Sequence, residues 1–451
     1  MNSFVNRLRG DKTIWAVVFL LALISFLPVY SASTNLVYVI GKGSTIGFLA
    51  KHLVHLFIGF VIIFWIHKVP YHIFRALSLI GIPIVVALLI YTLFQGTTIG
   101  GANASRWIQI PFVGIGFQTS TLAFTVLMVY VARYLAKVSD KEYSFKESLI
   151  ELWLPICGVL IFILPTNFST TALIFSMVCM LLYIGQYPFK YLAVVLGAGI
   201  IALLLFLLMA KAFPDNRLFS RVSTWESRIE RFVDDKPNED NYQIEKAKIA
   251  IASGKIYGLG PGKSVQKNFL PQSSSDFIFA IIVEEYGLIG AIGIVFLYLI
   301  LFIRFIINAQ KASTLFGKLL IIGLGFPIIF QALINMGVAV ELLPVTGQTL
   351  PLISAGGTSI WMTCVSIGII LSVTKKEEEV ALDLEEKRVR DEALQQIIDA
   401  QVALNEENEA DENQQKINNI KNSIRESLVE DENGDISVNG ENPMNALLNK
   451  Q

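Results

Sequence analysis

Apolar runs of roughly bilayer-spanning length recur along the chain, at about 13–31, 50–67, 74–94, 118–136, 149–165, 168–185, 189–212, 277–306, 316–340 and 353–373. The fifth and sixth are parted only by Pro165-Thr166-Asn167. Most connections between runs are short, but the one at about 213–276 is long and polar. Beyond residue 373 the apolar pattern stops. This layout predicts an all-α polytopic membrane protein with about ten transmembrane helices and a large extracytoplasmic loop between helices 7 and 8. Residues 1–12 form a cytoplasmic N-terminus, 13–373 the membrane domain and 374–451 a tail. The first run lacks a small-residue cleavage pattern, so no cleavable signal peptide is expected.

Composition agrees, since 53% hydrophobic residues with 16% charged ones is too apolar for a soluble chain of this size. Lys and Arg in the short connections set the orientation. Fifteen of them, from Arg7 and Lys68 to Lys375 and Lys376, fall at one set of ends, against Lys42 and Arg106 at the other. Both termini are therefore expected in the cytoplasm of a multi-pass plasma-membrane protein, and the 213–276 loop outside. The net charge of −1 hides an acidic tail with twenty Asp and Glu against nine Lys and Arg. That tail reads as largely disordered, with a helix at about 376–404. Cys157, Cys179 and Cys364 have no disulfide or metal spacing, and His52 and His55 read as interfacial anchors.

Within the loop, Gly258-Leu259-Gly260-Pro261-Gly262-Lys263-Ser264 imitates a phosphate-binding loop. Tyr257 stands where that motif needs glycine and no strand precedes it, so the glycines read instead as tight turns that allow close approach. Arg217, Arg221, Arg228 and Arg231 around Trp225, with Lys246, Lys248, Lys255, Lys263 and Lys267, suit either lipid headgroups or a pyrophosphate. Asp276 follows Ser273-Ser274-Ser275 where the loop meets the eighth run, a costly place for a carboxylate. The serines suggest an N-cap with Asp276 in the first helical turn. Glu284 and Glu285 lie deeper and face different sides of a helix. One is expected to line a wet cavity and the other to pair with a neighbouring helix. Polar groups at Asn335-Met336-Gly337, Leu343–Pro351 and Ser354–Ser359 gather at the same end.

Two blocks strongly resemble the SEDS family of bacterial cell-wall proteins. One is Ser253-Gly254…Gly258-Leu259-Gly260…Ser264-Val265-Gln266-Lys267…Leu270-Pro271…Asp276-Phe277-Ile278-Phe279-Ala280…Glu284-Glu285-Tyr286-Gly287. The other is Gln331-Ala332…Asn335…Leu343-Pro344-Val345-Thr346-Gly347…Leu350 to Ser359. The Ser264–Lys267 run and Trp225-Glu226-Ser227-Arg228 resemble the division branch more than the elongation branch.

The resemblance implies a ten-span, inverting peptidoglycan glycosyltransferase that polymerises lipid II into glycan strands on undecaprenyl pyrophosphate. It implies septal wall synthesis in cell division beside a class B penicillin-binding protein transpeptidase and other divisome membrane proteins. A nucleic-acid partner is not expected. Asp276 is then the expected catalytic base, and Arg106, Lys263, Lys267, Glu284, Thr346 and Ser354 the expected substrate-binding residues. No cofactor is assigned, and a divalent cation is left open. Three departures remove family charges: Gln118-Thr119-Ser120-Thr121 lacks the usual Glu, Phe124 replaces a Lys, and Asn167 replaces an Asp. Two other functions are weighed: a non-catalytic scaffold for a transpeptidase, which these lost charges keep open, and a lipid II flippase, which would favour polar groups spread through the bundle core and not gathered at the outer mouth.

Overall fold

The computed structural model of the chain describes residues 8–40, 44–96, 107–109, 116–139, 144–212, 239–270, 272–375, 377–430 and 436–438. Helices occupy all ten apolar runs. They are α1 (Lys12–Ile40), α2 (Thr45–Ile66), α3 (Ile73–Gln95), α4 (Thr119–Val138), α5, α6 (Phe168–Ile184) and α7 (Phe189–Ala212), then α9 (Ile278–Lys311), α10 (Leu315–Ala339) and α11 (Thr358–Val373). Helix α5 starts at Phe145–Ser148 and passes through a π-helical stretch, Leu149–Trp153, into Leu154–Ile163. A further helix, α8 (Glu239–Gly254), belongs to the long loop, and a hairpin of β1 (Trp107–Gln109) and β2 (Gly116–Gln118) precedes α4. Among the described residues seven helices are long and apolar enough to cross a membrane; α6 and α11 are shorter apolar helices. Broad apolar faces stay exposed, including Phe57, Trp65, Leu204, Leu208, Ile292 and Phe296, as expected of a surface that meets hydrocarbon.

The core lies around α10, which packs against α9, α4, α11 and α6. Its Leu319, Leu320, Ile321, Leu324 and Ala332 are buried among Leu127, Leu181, Phe305 and Ile367. At the end where α1 begins, Asp11 staples three helices. Its Oδ1 accepts from the amides of Thr13 (2.8 Å) and Ile14 (3.3 Å). Its Oδ2 accepts from Arg304 Nε (2.8 Å), Arg304 Nη2 and Asn308 Nδ2 (2.5 Å), and its own amide donates to Thr374 Oγ1. His52 and His55 are not interfacial anchors. Both are buried, His52 Nε2 lying 2.9 Å from Ser25 Oγ and His55 stacking on Trp361 at 5.3 Å, because neighbouring helices cover this side of α2.

The feature that most shapes the rest is a break in α9. Gly287 has φ 66° and ψ −164°, outside helical space, which parts a half-helix, Ile278 to Tyr286, from the longer run that starts at Leu288. A break strips backbone groups of their helical partners, and in a membrane protein they must be satisfied by other protein. The loop after α8 does this. Leu259 N and Gly260 N donate to the carbonyls of Glu284 and Glu285, both at 2.9 Å. On the other side of the break, Leu288 N donates to Lys255 O (2.9 Å) and Ile289 N to Ile256 O (3.3 Å). A Cβ on Gly254, Gly258 or Gly287 would run into the backbone of Val283, Glu285 or Ile256 respectively. Of the glycines in the phosphate-loop lookalike, Gly258 therefore serves backbone-on-backbone packing, the close approach expected of it, whereas Gly260 (φ 102°) and Gly262 (φ 77°) serve the turn.

Clustering of contacts divides the chain into Met1–Lys375 and Lys376–Gln451. In the second unit the helix extends well past the expected end near 404, as α12 (Glu377–Ser427). The sequence there is rich in Glu, Ala, Gln and Leu, and Arg388–Glu392 and Glu412–Lys416 pair one turn apart, which together favour helix.

Candidate active site

Asp276 is not in the first turn of α9. The helix opens at Ile278, its N-cap is Phe277 (φ −110°, ψ 19°), and no side chain caps it. The preceding serines are spent on successive turns. Ser273 N donates to Leu270 O (3.2 Å), Ser275 N to Gln272 O (3.1 Å), and Phe277 N reaches back to Gln272 O (3.2 Å). The carbonyls of this turn are claimed from across the bundle. Ser274 O accepts from Ala355 N (2.9 Å), Ser275 O from Ser354 Oγ (2.6 Å) and Asp276 O from Asn335 Nδ2 (2.7 Å). Three consecutive carbonyls thus fix the backbone that carries the carboxylate.

The segment on the other side is fixed with equal care. Asn335 Nδ2 also donates to Gln348 O (2.7 Å), so one amide group bridges the two strands of chain. Ser354 Oγ in turn accepts from Leu350 N (2.7 Å). Gln348 Nε2 reaches Thr170 Oγ1 on α6 (3.1 Å), and Gln331 Nε2 reaches Thr349 O (3.0 Å). Gly347 has φ 68°, and a Cβ there would lie 3.4 Å from Asp276 Oδ2, so the carboxylate faces this glycine. Thr346 Oγ1 and Asn335 Oδ1 are buried without a hydrogen-bond partner among the described residues. The segments that carry Asp276, Thr346 and Ser354 therefore meet.

The other expected residues stand elsewhere. Glu284 is 1% exposed, and its carboxylate accepts from Ser264 Oγ, Val265 N (3.0 Å) and Gln266 N (3.2 Å), so it shapes the 264–267 loop instead of facing a substrate. Two turns into a half-helix covered by that loop, a carboxylate has the loop's amides as its nearest donors. Glu285, fully buried, accepts from Ser31 Oγ on α1, which matches the expected pairing with a neighbouring helix. Lys267 Nζ donates to Ser31 Oγ (3.1 Å) and Gly262 O (2.9 Å), joining this second cluster. Lys263 is exposed. Arg106, Arg217, Arg221, Arg228, Arg231 and Trp225 lie outside the described residues. Among the described residues no group of three or more His, Cys, Asp or Glu side chains could hold a metal ion.

Sequence reading passed over Asn335 and Gln348 as site-building residues. A buried amide near the end of an apolar span was the available signal. It also left the three departures without a role. Asn167 caps α6, its Oδ1 accepting from Thr170 N (3.2 Å), work that Asp and Asn do about equally well. Thr121 and Phe124 line a half-open cavity of about 50 Å³ with Gln331, Ser359, Thr363 and Ser366, beside the Thr349 contact. Among the described residues no charged side chain lines it.

Comparison with known proteins places this geometry. The model of the FtsW/RodA/SpoVE cell cycle proteins matches residues 11–379. A probable peptidoglycan glycosyltransferase FtsW of Coxiella burnetii is 30% identical over 377 residues, 81% of this chain and 96% of that protein. One of Geobacter sulfurreducens is 31% identical over 378 residues, 82% of this chain and 96% of its own length. A structure described as the coordination of polymerization and crosslinking by a peptidoglycan synthase complex matches with a TM-score of 0.61 at 23% identity, over 81% of this chain and 97% of the other. The rod shape determining protein RodA of Thermus thermophilus matches with a TM-score of 0.57 at 22% identity, over 81% and 96%. The two structures speak for the fold alone. By the match over residues 11–379 and by these relatives in sequence, the chain belongs to the FtsW/RodA/SpoVE family of cell cycle proteins.

Proposed function

We propose that this protein is a peptidoglycan glycosyltransferase that polymerises lipid II into glycan strands during septal wall synthesis, with Asp276 as its general base. The observation that carries the reading is the triple tether of the 274–276 carbonyls, which holds one carboxylate beside Gly347 and two unpartnered polar groups. In the reaction Asp276 removes the proton of the acceptor's GlcNAc 4-hydroxyl as that oxygen displaces undecaprenyl pyrophosphate, inverting the anomeric carbon. The new glycosidic bond forms as the bond to the pyrophosphate breaks. Thr346 lines the acceptor side, Ser354 holds the turn that carries Asp276, and Lys263, Lys267 and Arg106 would offset the pyrophosphate charge. The names of the Coxiella and Geobacter relatives support this substrate class. Strand synthesis from lipid II by the purified chain, with and without a partner, tests it; a well-folded protein that makes no strands in either condition would reduce it to a scaffold.

The proposed partner is a class B penicillin-binding protein transpeptidase, a pairing supported by the synthase complex whose fold this chain shares. Other divisome membrane proteins and a septal location go with the division branch. Both termini are proposed to lie in the cytoplasm on the strength of the Lys and Arg asymmetry. A cysteine introduced at Asn238 should react with a membrane-impermeant thiol reagent in intact cells, whereas one at Asn408 should react only once the membrane is opened. The opposite labelling pattern would reverse the orientation and remove the proposed site from the side where glycan is built.

A further inference from the structure

The loop that closes the break in α9 has an outer face that its own packing does not use. Ile256 is 56% exposed, Tyr257 80% and Leu259 41%, three large apolar or amphipathic side chains within four residues. Lys255, beside them, is exposed too. We infer that residues 255–259 are a membrane-interface anchor, seated among the phospholipid headgroups and upper acyl chains at the end of the bundle that carries Asp276.

What covers this face follows from its continuity with the lipid-facing side of α9. Below the break, the exposed apolar residues of that helix recur at Leu288, Ile289, Ile292, Val295, Phe296, Leu299 and Ile303. That is the three-and-four spacing of a single stripe turned to hydrocarbon. The stripe does not end at its first turn. Leu288 N and Ile289 N bond directly to the carbonyls of Lys255 and Ile256, so the loop continues the helix surface where the helix itself has stopped.

Depth can be read from the other end. Arg304 and Asn308 hold Asp11, just ahead of α1, and so mark the opposite boundary of the bundle. From Leu288 to Arg304 a helix rises about 24 Å at 1.5 Å per residue. That is close to the ~30 Å of a hydrocarbon core, which brings the 255–259 backbone to the interface on the far side. Tyrosine is enriched at that depth, where its ring sits in the acyl region and its hydroxyl in the headgroups, and an adjacent lysine suits headgroup phosphates.

The anchor has a mechanical meaning for the proposed site, although its existence does not depend on that reading. The loop is bonded to Glu284 O and Glu285 O on the half-helix that begins two residues after Asp276. Its seat in the interface would therefore fix the height of the carboxylate above the membrane, which matters for a substrate whose pyrophosphate is tethered to a lipid.

The test is a depth measurement on the full chain, with its three cysteines replaced by alanine, in bilayers containing phospholipid brominated near the top of the acyl chain. Single cysteines at Tyr257 and, separately, Ile256 carry a fluorescent label. Ile292→Cys serves as the lipid reference and Lys421→Cys as the water reference. Quenching of the 257 and 256 labels by bromolipid should be at least twice that at Lys421 and approach that at Ile292, with iodide access reduced to match. Labels that behave like Lys421 in bromolipid and are freely reached by iodide would overturn the anchor and leave this face to a protein partner. If one labelled variant does not fold, the other decides. Strand synthesis is assayed separately on the unlabelled chain, so an inactive chain with quenched labels rejects the glycosyltransferase reading and keeps the anchor.

Discussion

Asp276→Asn should lower strand polymerisation by about 10²–10⁴-fold, the range typical of losing a general base, while the variant inserts and melts as the parent does. The structure makes this a clean substitution. The turn is held by the carbonyls of Ser274, Ser275 and Asp276, and the N-cap of α9 is Phe277, so the carboxylate charge is not needed for the tethers described. Asparagine keeps the volume beside Gly347 but cannot take a proton from the acceptor hydroxyl. Initial rates of glycan synthesis from lipid II, with thermal melting in the same detergent, provide the measurement. A near-parental rate from a well-folded variant would end the assignment of Asp276 as base. Glu284 would not inherit the role, because Ser264, Val265 and Gln266 already occupy its carboxylate.

Removing the amide bridge should be nearly as damaging by a different route. Asn335 is 1% exposed, and its one NH2 group serves both Asp276 O and Gln348 O. Asn335→Leu fills a similar volume and leaves both carbonyls without that donor, at a cost of about 1–3 kcal/mol for each group left buried. The larger effect is on placement, since a shift of about 1 Å in a reacting group can cost about 10² in rate. The expected result is therefore a fall in kcat of about 10²-fold at saturating lipid II, with KM changed much less. Asn335→Asp, which keeps the shape but loses the donors when ionised, should fall in kcat by a similar factor. If the folded variants turn over at the parental rate and only melt earlier, Asn335 serves the fold and not the site.

The positions of the helices were legible because hydrocarbon imposes a one-dimensional rule: a run of about twenty apolar residues is enough to mark each crossing. The family blocks likewise marked the segments that meet, those that carry Thr346, Ser354 and Asp276. The break at Gly287 was not legible. A glycine in an apolar run reads as helix packing, and what makes this one necessary is backbone from Ile256, thirty-one positions away. Glu284 was misassigned for a related reason. Its distance along a helix from Asp276 could be counted, but the loop amides that consume it could not. The serine run before Asp276 carried a true capping pattern, and tertiary contacts from Asn335, Ser354 and Ala355 redirected its backbone into a turn. Local chemistry proposed one use for these groups, and partners far along the chain decided another.

The amides of Leu259, Gly260, Leu288 and Ile289 are all bonded between the loop and α9, on the two sides of the break, so they exchange with deuterated solvent when the loop and α9 part. The two behave as one opening unit, with a single free energy of exposure shared by residues on both sides of the break. Undocking the loop withdraws the donors from Glu284 and loosens the helix that starts beside Asp276. The tethers from Asn335, Ser354 and Ala355 would then hold the Asp276 turn alone, so in the proposed reaction the lifetime of the closed break would set how long the base keeps support from both of its sides.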